Sequence, residues 1–169
     1  MQRVIRTAVI AAVAMFSAAA SAEVVKVPAS VPYAEDSDVA GNIKRECPLS
    51  SQLSEFIVEF SRKKGVAVET VAETQPTMPG RVLVVEIRDA TSSGNAFVGH
   101  HKATSVRGAL YQDGTKVASF RGRRDSMGGA FAGFKGSCSV LGRTVKALGG
   151  DIAEWLQRPT MDADLGDLK

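Results

Sequence analysis

Cys47 and Cys138 are the only thiols in this chain of 169 residues. An even pair of cysteines predicts a disulfide when a protein is exported. Both cysteines fall at the starts of predicted helices, and two helices lying parallel on one face of a sheet would bring those starts together. A redox pair is the alternative, because a helix N-terminus lowers the pKa of a thiol, but the CxxC spacing of redox motifs is missing. The pattern favours a structural disulfide.

Other residue types with catalytic potential give no recognisable site. His100 and His101 are adjacent, so in an extended segment they point to opposite sides, and zinc needs three or four ligands. No G-x-S-x-G nucleophile elbow occurs. In the glycine-rich segment 126–136, Phe134 separates Lys135 from the preceding glycine, whereas a phosphate-binding loop has its lysine directly after that glycine. We predict no catalytic residues, no metal and no cofactor.

Phe131 and Phe134 give the glycine-rich segment two possible roles. The two rings could cover the edge of the core, or they could form an exposed aromatic loop that contacts a partner or a membrane surface. Both interpretations stay open, and we name Phe131 and Phe134 as a candidate contact loop.

Arginines gather on one face of a predicted hairpin. Strands over 104–111 and 115–124 flank Gln112-Asp113-Gly114, which permits a two-residue type I′ turn or a three-residue loop with Gly114 in the left-handed conformation. Because one buried face specifies register, we predict the three-residue loop, which separates polar from apolar side chains better. The apolar face then holds Val106, Gly108, Leu110, Ala118 and Phe120, and the polar face holds Ser105, Arg107, Ser119, Arg121 and Arg123.

The polar face of this hairpin is the candidate binding surface. Arg107, Arg121 and Arg123 lie on it, and Arg88 with Glu86 on the neighbouring strand extends it. A solvated face with cross-strand ion pairs would account for these residues without a ligand. Arginine is also enriched at binding hot spots, so the alternative is a binding face for an acidic protein or polymer.

The first 22 residues have the pattern of a secretory signal peptide. Arg3 and Arg6 precede an apolar run over 7–16, and Ala20-Ser21-Ala22 matches an A-x-A cleavage site. The apolar run is only half of the roughly 20 residues that a transmembrane helix needs. We therefore expect a mature chain that begins at Glu23 in the periplasm or outside the cell, with no transmembrane segment.

The charge of the mature chain argues against nucleic acid as a partner. The full chain has 21 Lys and Arg against 18 Asp and Glu, a net charge of +3. Loss of Arg3 and Arg6 with the signal peptide lowers that to +1, whereas nucleic-acid-binding proteins usually carry a strong basic excess.

Residues 23–158 are expected to form a single globular domain. A helix from Pro48 to Gly65 and a second from Ser137 carry apolar stripes, and Gly149-Gly150 predict a kink or short break in the second. Pro159 should end that helix and leave 159–169 as a mobile acidic tail. Strands are predicted at 24–27, 66–71 and 81–88, besides the hairpin, with loops at 73–80 and 89–99.

Two segments carry a resemblance to known proteins. The segment GAFAGFKGSCSVLGRTVKALGGDIAEWLQRP, with the upstream NIKRECPLSSQL, resembles exported proteobacterial proteins that have one Cys before each of two helices and a D-I-A-x-W-L helix. The order of helices and strands is also similar to small envelope accessory domains of the outer-membrane lipoprotein activator and curli-secretion type. This likeness implies a fold and transfers no activity.

We therefore expect an α/β or α+β fold with a mostly antiparallel sheet of four or five strands, two helices on one face and one disulfide. The expected function is a non-catalytic periplasmic or secreted binding or accessory module, with an envelope protein or polymer as its partner. A small extracytoplasmic hydrolase or enzyme inhibitor is the alternative.

Overall fold

A computed structural model describes residues 23–95, 99–127 and 136–169. Within these residues the chain forms six strands and three helices. The strands are β1 (Val25–Pro28), β2 (Val68–Val71), β3 (Arg81–Asn95), β4 (Gly99–Gln112), β5 (Thr115–Met127) and β6 (Ala163–Gly166). The helices are α1 (Gly41–Glu46), α2 (Leu49–Lys63) and α3 (Ser137–Trp155). The predicted signal peptide and Phe131 and Phe134 lie outside the described residues.

All six strands belong to one mixed sheet with the order β2-β1-β3-β4-β5-β6. The central strands β3, β4 and β5 are antiparallel to one another, whereas β1 pairs in parallel with β2 and β3, and β6 pairs in parallel with β5. The expected mixed class is therefore correct, but the sheet has one strand more than predicted, and the short α1 is a third helix that the sequence did not reveal.

Helices α2 and α3 lie side by side on one face of the sheet, which we call the inner face. Apolar residues at helical spacing on α2, such as Leu53 and Ile57, are fully buried together with Leu141 and Leu148 of α3. They pack against apolar side chains of the strands in a single core cluster. Gly65, with a φ of 76°, ends α2 as the sequence predicted.

The predicted disulfide is confirmed. Cys47 and Cys138 are bonded, with their Cα atoms 5.0 Å apart and 91 positions between them in sequence. Cys47 lies two residues before Leu49, the first residue of α2, and Cys138 is in the first turn of α3. At the other ends, Lys64 and Glu154 form an ion pair at 3.6 Å. The two helices therefore run in the same direction along their whole length.

Helix α3 is continuous through Gly149-Gly150, so the helix has no break there, which was one of the two predicted alternatives. A Cβ atom built on Gly149 would lie 2.5 Å from Cβ of Phe56 and 3.1 Å from the backbone nitrogen of Ile57. The helix therefore crosses α2 at a distance that only glycine permits. The packing of the two helices outweighs the low helix propensity of the two glycines, which is about 1 kcal/mol each relative to Ala.

The β4–β5 turn has two residues, so the predicted three-residue loop is wrong. Asp113 and Gly114 have φ values of 48° and 84°, as a type I′ turn requires, and Gln112 pairs with Thr115. The register then shifts, so that Leu110 pairs with Ala118 and leaves Val117 as an extra residue in β5. This bulge restores the predicted division of the faces, because it returns Ala118 and Phe120 to the buried side.

The segment 89–99 was predicted to be a loop, but most of it belongs to strands. Strand β3 continues to Asn95 and β4 begins at Gly99. The two strands pair over this whole stretch, from Asp89 opposite Ser105 to Asn95 opposite Gly99. His100 and His101 therefore lie on a strand and not in a loop. The sequence did not predict this extension of the strands, because its small polar residues are typical of a loop. These residues nevertheless pair through their backbone.

The segment 159–169 was predicted to be a mobile tail, but it docks on β5 as strand β6. The Ser119 hydroxyl donates to the Asp162 carboxylate at 2.8 Å, and Arg124 Nη1 donates to Asp167 Oδ1 at 2.8 Å. The Asp167 amide also donates to the Arg123 carbonyl at 2.8 Å. The acidic residues that indicated a tail are thus the partners of donors on β5.

We expect Gly149→Ala to destabilise the protein and Gly150→Ala to be neutral or stabilising. The added methyl group at 149 collides with Phe56, which should cost about 1–3 kcal/mol, whereas at 150 the nearest atom is a ring carbon of Phe60 at 3.8 Å. Urea unfolding of the two variants measures the difference. Equal free energies of unfolding would contradict the close helix contact.

We expect Cys47→Ser together with Cys138→Ser to lower the free energy of unfolding by about 4–5 kcal/mol, from the entropy of the loop that the disulfide closes. Urea unfolding of the double variant measures this. Thiol labelling of the denatured parent protein, without reductant, should find no free cysteine. Two labelled cysteines in freshly exported protein would contradict the disulfide.

Candidate functional site

The candidate site is the outer face, which is the side of the sheet opposite α2 and α3. Its centre is formed by the outward-pointing residues of three neighbouring strands. These are Val84 and Glu86 on β3, Arg107, Ala109 and Tyr111 on β4, and Ser119 and Arg121 on β5. Within the described part of the chain, no helix packs on this face.

Each arginine that the sequence placed on this face has an acidic partner. Arg107 Nε donates to Glu86 Oε1 on the adjacent strand β3. Arg121 donates to Asp164 of β6 from Nε, at 2.5 Å, and from Nη2, at 3.3 Å. These pairs cross the sheet between strands that the topology makes neighbours.

The other two predicted face residues are held more tightly. Arg88 is the bulged residue of β3 and donates to both carboxylate oxygens of Asp36, with Nη2 to Oδ2 at 2.9 Å. Arg123 donates to Asp125 on the same strand, with Nη2 to Oδ1 at 3.0 Å. Their side chains are only 30% and 37% exposed, against 58% for Arg107 and 72% for Arg121. Arg107 and Arg121 are thus the more accessible of the four arginines, and Arg88 and Arg123 are the less accessible.

The ion pairs shift the pKa values of the carboxyl groups. The hydrogen bond from Arg121 is the main cause that lowers the pKa of Asp164, and that from Arg88 lowers the pKa of Asp36. The same bonds raise the pKa of Arg121 and of Arg88. All four groups stay charged near neutral pH, so the face presents fixed charges.

A shallow groove crosses the outer face between the charged side chains. Small residues, Ala109 and Ser119, form its floor with Val84, while Tyr111 and Arg107 line its sides. The groove has a volume of about 410 Å³, and a depression of about 440 Å³ adjoins it between Arg107 and Arg121. Below, "outer-face groove" refers to both together.

The two exposed arginines of this face are suited to binding an anionic group. A guanidinium group offers several N–H donors in a plane and does not lose its proton in proteins, so it cannot act as a base. Ser119 is hydrogen-bonded to Asp162, but it is far from His101. Ala109, which pairs with Ser119 on the neighbouring strand, lies eight residues from His101 along β4. At the rise of a strand that separation is about 26 Å, too far for a catalytic triad.

The sequence missed the acidic residues that organise the outer face. Asp36 and Asp164 lie 52 and 43 positions from the arginines that they bind. No spacing rule connects such distant residues, and only the strand order brings them together. The predicted contact loop with Phe131 and Phe134 lies outside the described residues.

In the described ranges, no three His, Cys, Asp or Glu side chains are grouped so that they could hold a metal ion. None of the described helices has the length and apolar character needed to cross a membrane.

Comparison with known proteins shows a likeness of fold. The sequence matches no protein-family model and no curated protein. Among solved structures, a Xanthomonas campestris protein of the DUF330 family is similar to this chain, with a TM-score of 0.52 and 11% identity. The alignment covers 78% of this chain and 93% of that protein. This protein shares its fold with a DUF330 protein. At this identity the match shows the fold alone.

Two other solved structures are more distant. A minor lipoprotein from Acinetobacter baumannii has a TM-score of 0.43 and 10% identity, over 73% of this chain and 92% of the lipoprotein. A PelC dodecamer from Paraburkholderia phytofirmans has a TM-score of 0.42 and 12% identity, over 75% of this chain and 83% of PelC. We base no argument on these two.

We expect Arg121→Gln to raise the pKa of Asp164 towards its ordinary value of about 3.9, because the main stabilising hydrogen bond to the carboxylate is lost. Asp36, which is held by Arg88, should keep its lowered pKa and serves as the internal control. Carboxyl carbon shifts in an NMR pH titration measure both.

The same pair makes a small, pH-dependent contribution to stability. Since the pKa of Asp164 is lower in the folded state, the contribution is present above the unfolded pKa and is lost as the pH falls through the folded pKa. An unchanged Asp164 titration in Arg121→Gln would contradict the ion pair.

Proposed function

We propose that this protein is a non-catalytic binding or accessory module of the cell envelope, in the periplasm or secreted, which contacts its partner through the outer-face groove. The observation that carries the proposal is the asymmetry of the sheet. Both long helices cover the inner face, while the outer face carries two exposed arginines beside a groove floored by small residues.

Two independent features support the proposed location. Residues 1–22 have the pattern of a signal peptide, and disulfides such as Cys47–Cys138 persist in oxidising compartments outside the cytoplasm. Together they support export of the domain that begins near Glu23. The fold shared with a DUF330 protein is compatible with this role and does not specify a partner.

Binding explains the outer face better than hydrolysis. An enzyme of this size should show a pocket in which titratable groups with complementary roles converge. The outer-face groove is instead open and shallow, and the two exposed arginines that border it, Arg107 and Arg121, do not exchange protons. Such a surface can hold a partner by charge-assisted hydrogen bonds around a small apolar floor.

We expect Ala109→Trp to abolish partner capture, because the indole would fill the outer-face groove. Ala147→Trp is the matched control, since Ala147 is an exposed residue of α3 on the other side of the molecule. Immobilised parent and variant proteins are incubated with envelope extract, and captured components are quantified by mass spectrometry.

The partner should be retained at least about tenfold less by Ala109→Trp and normally by Ala147→Trp. Thermal melts of both variants check that the fold is intact. If the parent captures nothing above the level of Ala109→Trp, or if both variants capture equally, the outer face is not the binding surface.

A further inference from the structure

Arg107 and Arg121 stand directly opposite each other on the neighbouring strands β4 and β5. Like charges at opposed positions destabilise a sheet, so folding alone does not favour this pair. Both side chains are more than half exposed and border the same depression of about 440 Å³. The pair therefore points to a function at the surface.

The acidic partners hold these arginines from outside, and a third carboxylate, Asp162, borders the same depression and accepts a hydrogen bond from Ser119. Glu86 binds Arg107 from β3, and Asp164 binds Arg121 from β6, on the far sides of the two strands. Among the described residues, no hydrogen bond engages either Nη atom of Arg107 or Nη1 of Arg121. Three guanidinium nitrogens are therefore available to an anionic group placed between the strands.

Across the four strands the charges follow a fixed order. Glu86 is negative, Arg107 and Arg121 are positive, and Asp164 is negative. A continuous polyanion would bring its charges against the two flanking acids, which repel it. A complementary partner carries one carboxylate at the centre and one cation on each side.

The spacing of these charges fits an extended peptide. Three strand separations of about 4.8 Å put Glu86 and Asp164 about 14 Å apart. In an extended chain, residues i, i+2 and i+4 point to one side, and i and i+4 are about 13 Å apart. A peptide that lies across the strands and has the pattern basic–x–acidic–x–basic therefore matches the charge row, which consists of Glu86, Arg107, Arg121 and Asp164.

We propose that Arg107 and Arg121 together bind the carboxylate of an extended partner segment of the pattern basic–x–acidic–x–basic, whose two cations pair with Glu86 and Asp164. This inference rests on the proposed function and specifies the chemistry of the partner. Planar guanidinium groups suit it, since they pair with carboxylates through two parallel hydrogen bonds.

The test is an NMR titration of the mature protein with a blocked Lys-Ala-Glu-Ala-Lys peptide. We expect saturable shifts of the Arg107 and Arg121 Nε–H signals and of the Ala109 and Ser119 amides. The matched peptide Lys-Ala-Gln-Ala-Lys and the reversed peptide Glu-Ala-Lys-Ala-Glu should bind at least about tenfold more weakly.

Arginine variants localise the effect. Arg107→Gln with Arg121→Gln should weaken binding of Lys-Ala-Glu-Ala-Lys at least about tenfold, while Arg123→Gln should not change it, because Arg123 is held by Asp125 and does not line the groove. The double variant loses the repulsion between the two arginines as well as two exposed ion pairs, so its melting temperature should stay close to that of the parent. If it fails to fold, the repulsion argument is wrong, and Arg121→Gln alone still tests binding.

Two outcomes would overturn the inference. One is equal binding of the Glu and Gln peptides, and the other is tighter, saturable binding of a polyanion such as polygalacturonate at the same signals, which would indicate an acidic polymer. If Ala109→Trp abolishes partner capture while the peptide causes no shifts, the proposed function stands and only this inference fails.

Discussion

Gly149 of α3 lies against the backbone of α2 at Phe56, and the position of both helices over the sheet depends on that contact. A larger residue would separate the helices and widen the layer that must fit over the inner face. With the helices close together, Leu148 and Ile57 reach a common core, and the disulfide can join the helix starts. Within the described residues the compact helix pair lies on one side of the sheet and no helix covers the outer face, so the candidate site is left open.

The alternation of side chains along the strands could be predicted from the sequence, but the turn that produces it could not. Val106, Leu110 and Phe120 are buried and Arg107 and Arg121 are exposed, as the pattern indicated. A three-residue loop and a two-residue turn followed by a bulge at Val117 both satisfy that pattern. The alternation of polar and apolar residues specifies which side chains share a face of the sheet. It does not reveal a bulge residue that is inserted to maintain that alternation.

Long-range packing explains the remaining differences. The helix propensity of Gly149-Gly150 is local, whereas the contact that requires glycine at position 149 comes from a residue more than 90 positions away. The composition of the acidic segment around Asp164 predicts no regular structure, and only the fold shows that Asp164 pairs with Arg121. Four candidate arginines could be named from the sequence, but only the strand order shows that Arg88 and Arg123 are engaged while Arg107 and Arg121 remain accessible.

The parallel edge pairings also set an order for folding. Strands β3, β4 and β5 are joined by short connections, so their meander closes small loops and can form early. The partners of β1 lie far along the chain, since Val25 pairs with Val68 and with Arg81. The same is true of β6, in which Ala163 pairs with Phe120. Strands β1 and β6 therefore join the sheet only when segments more than 40 positions apart in sequence meet. Strand β6 supplies Asp164 to Arg121, so the charge row on the outer face is complete only after this long-range pairing has formed.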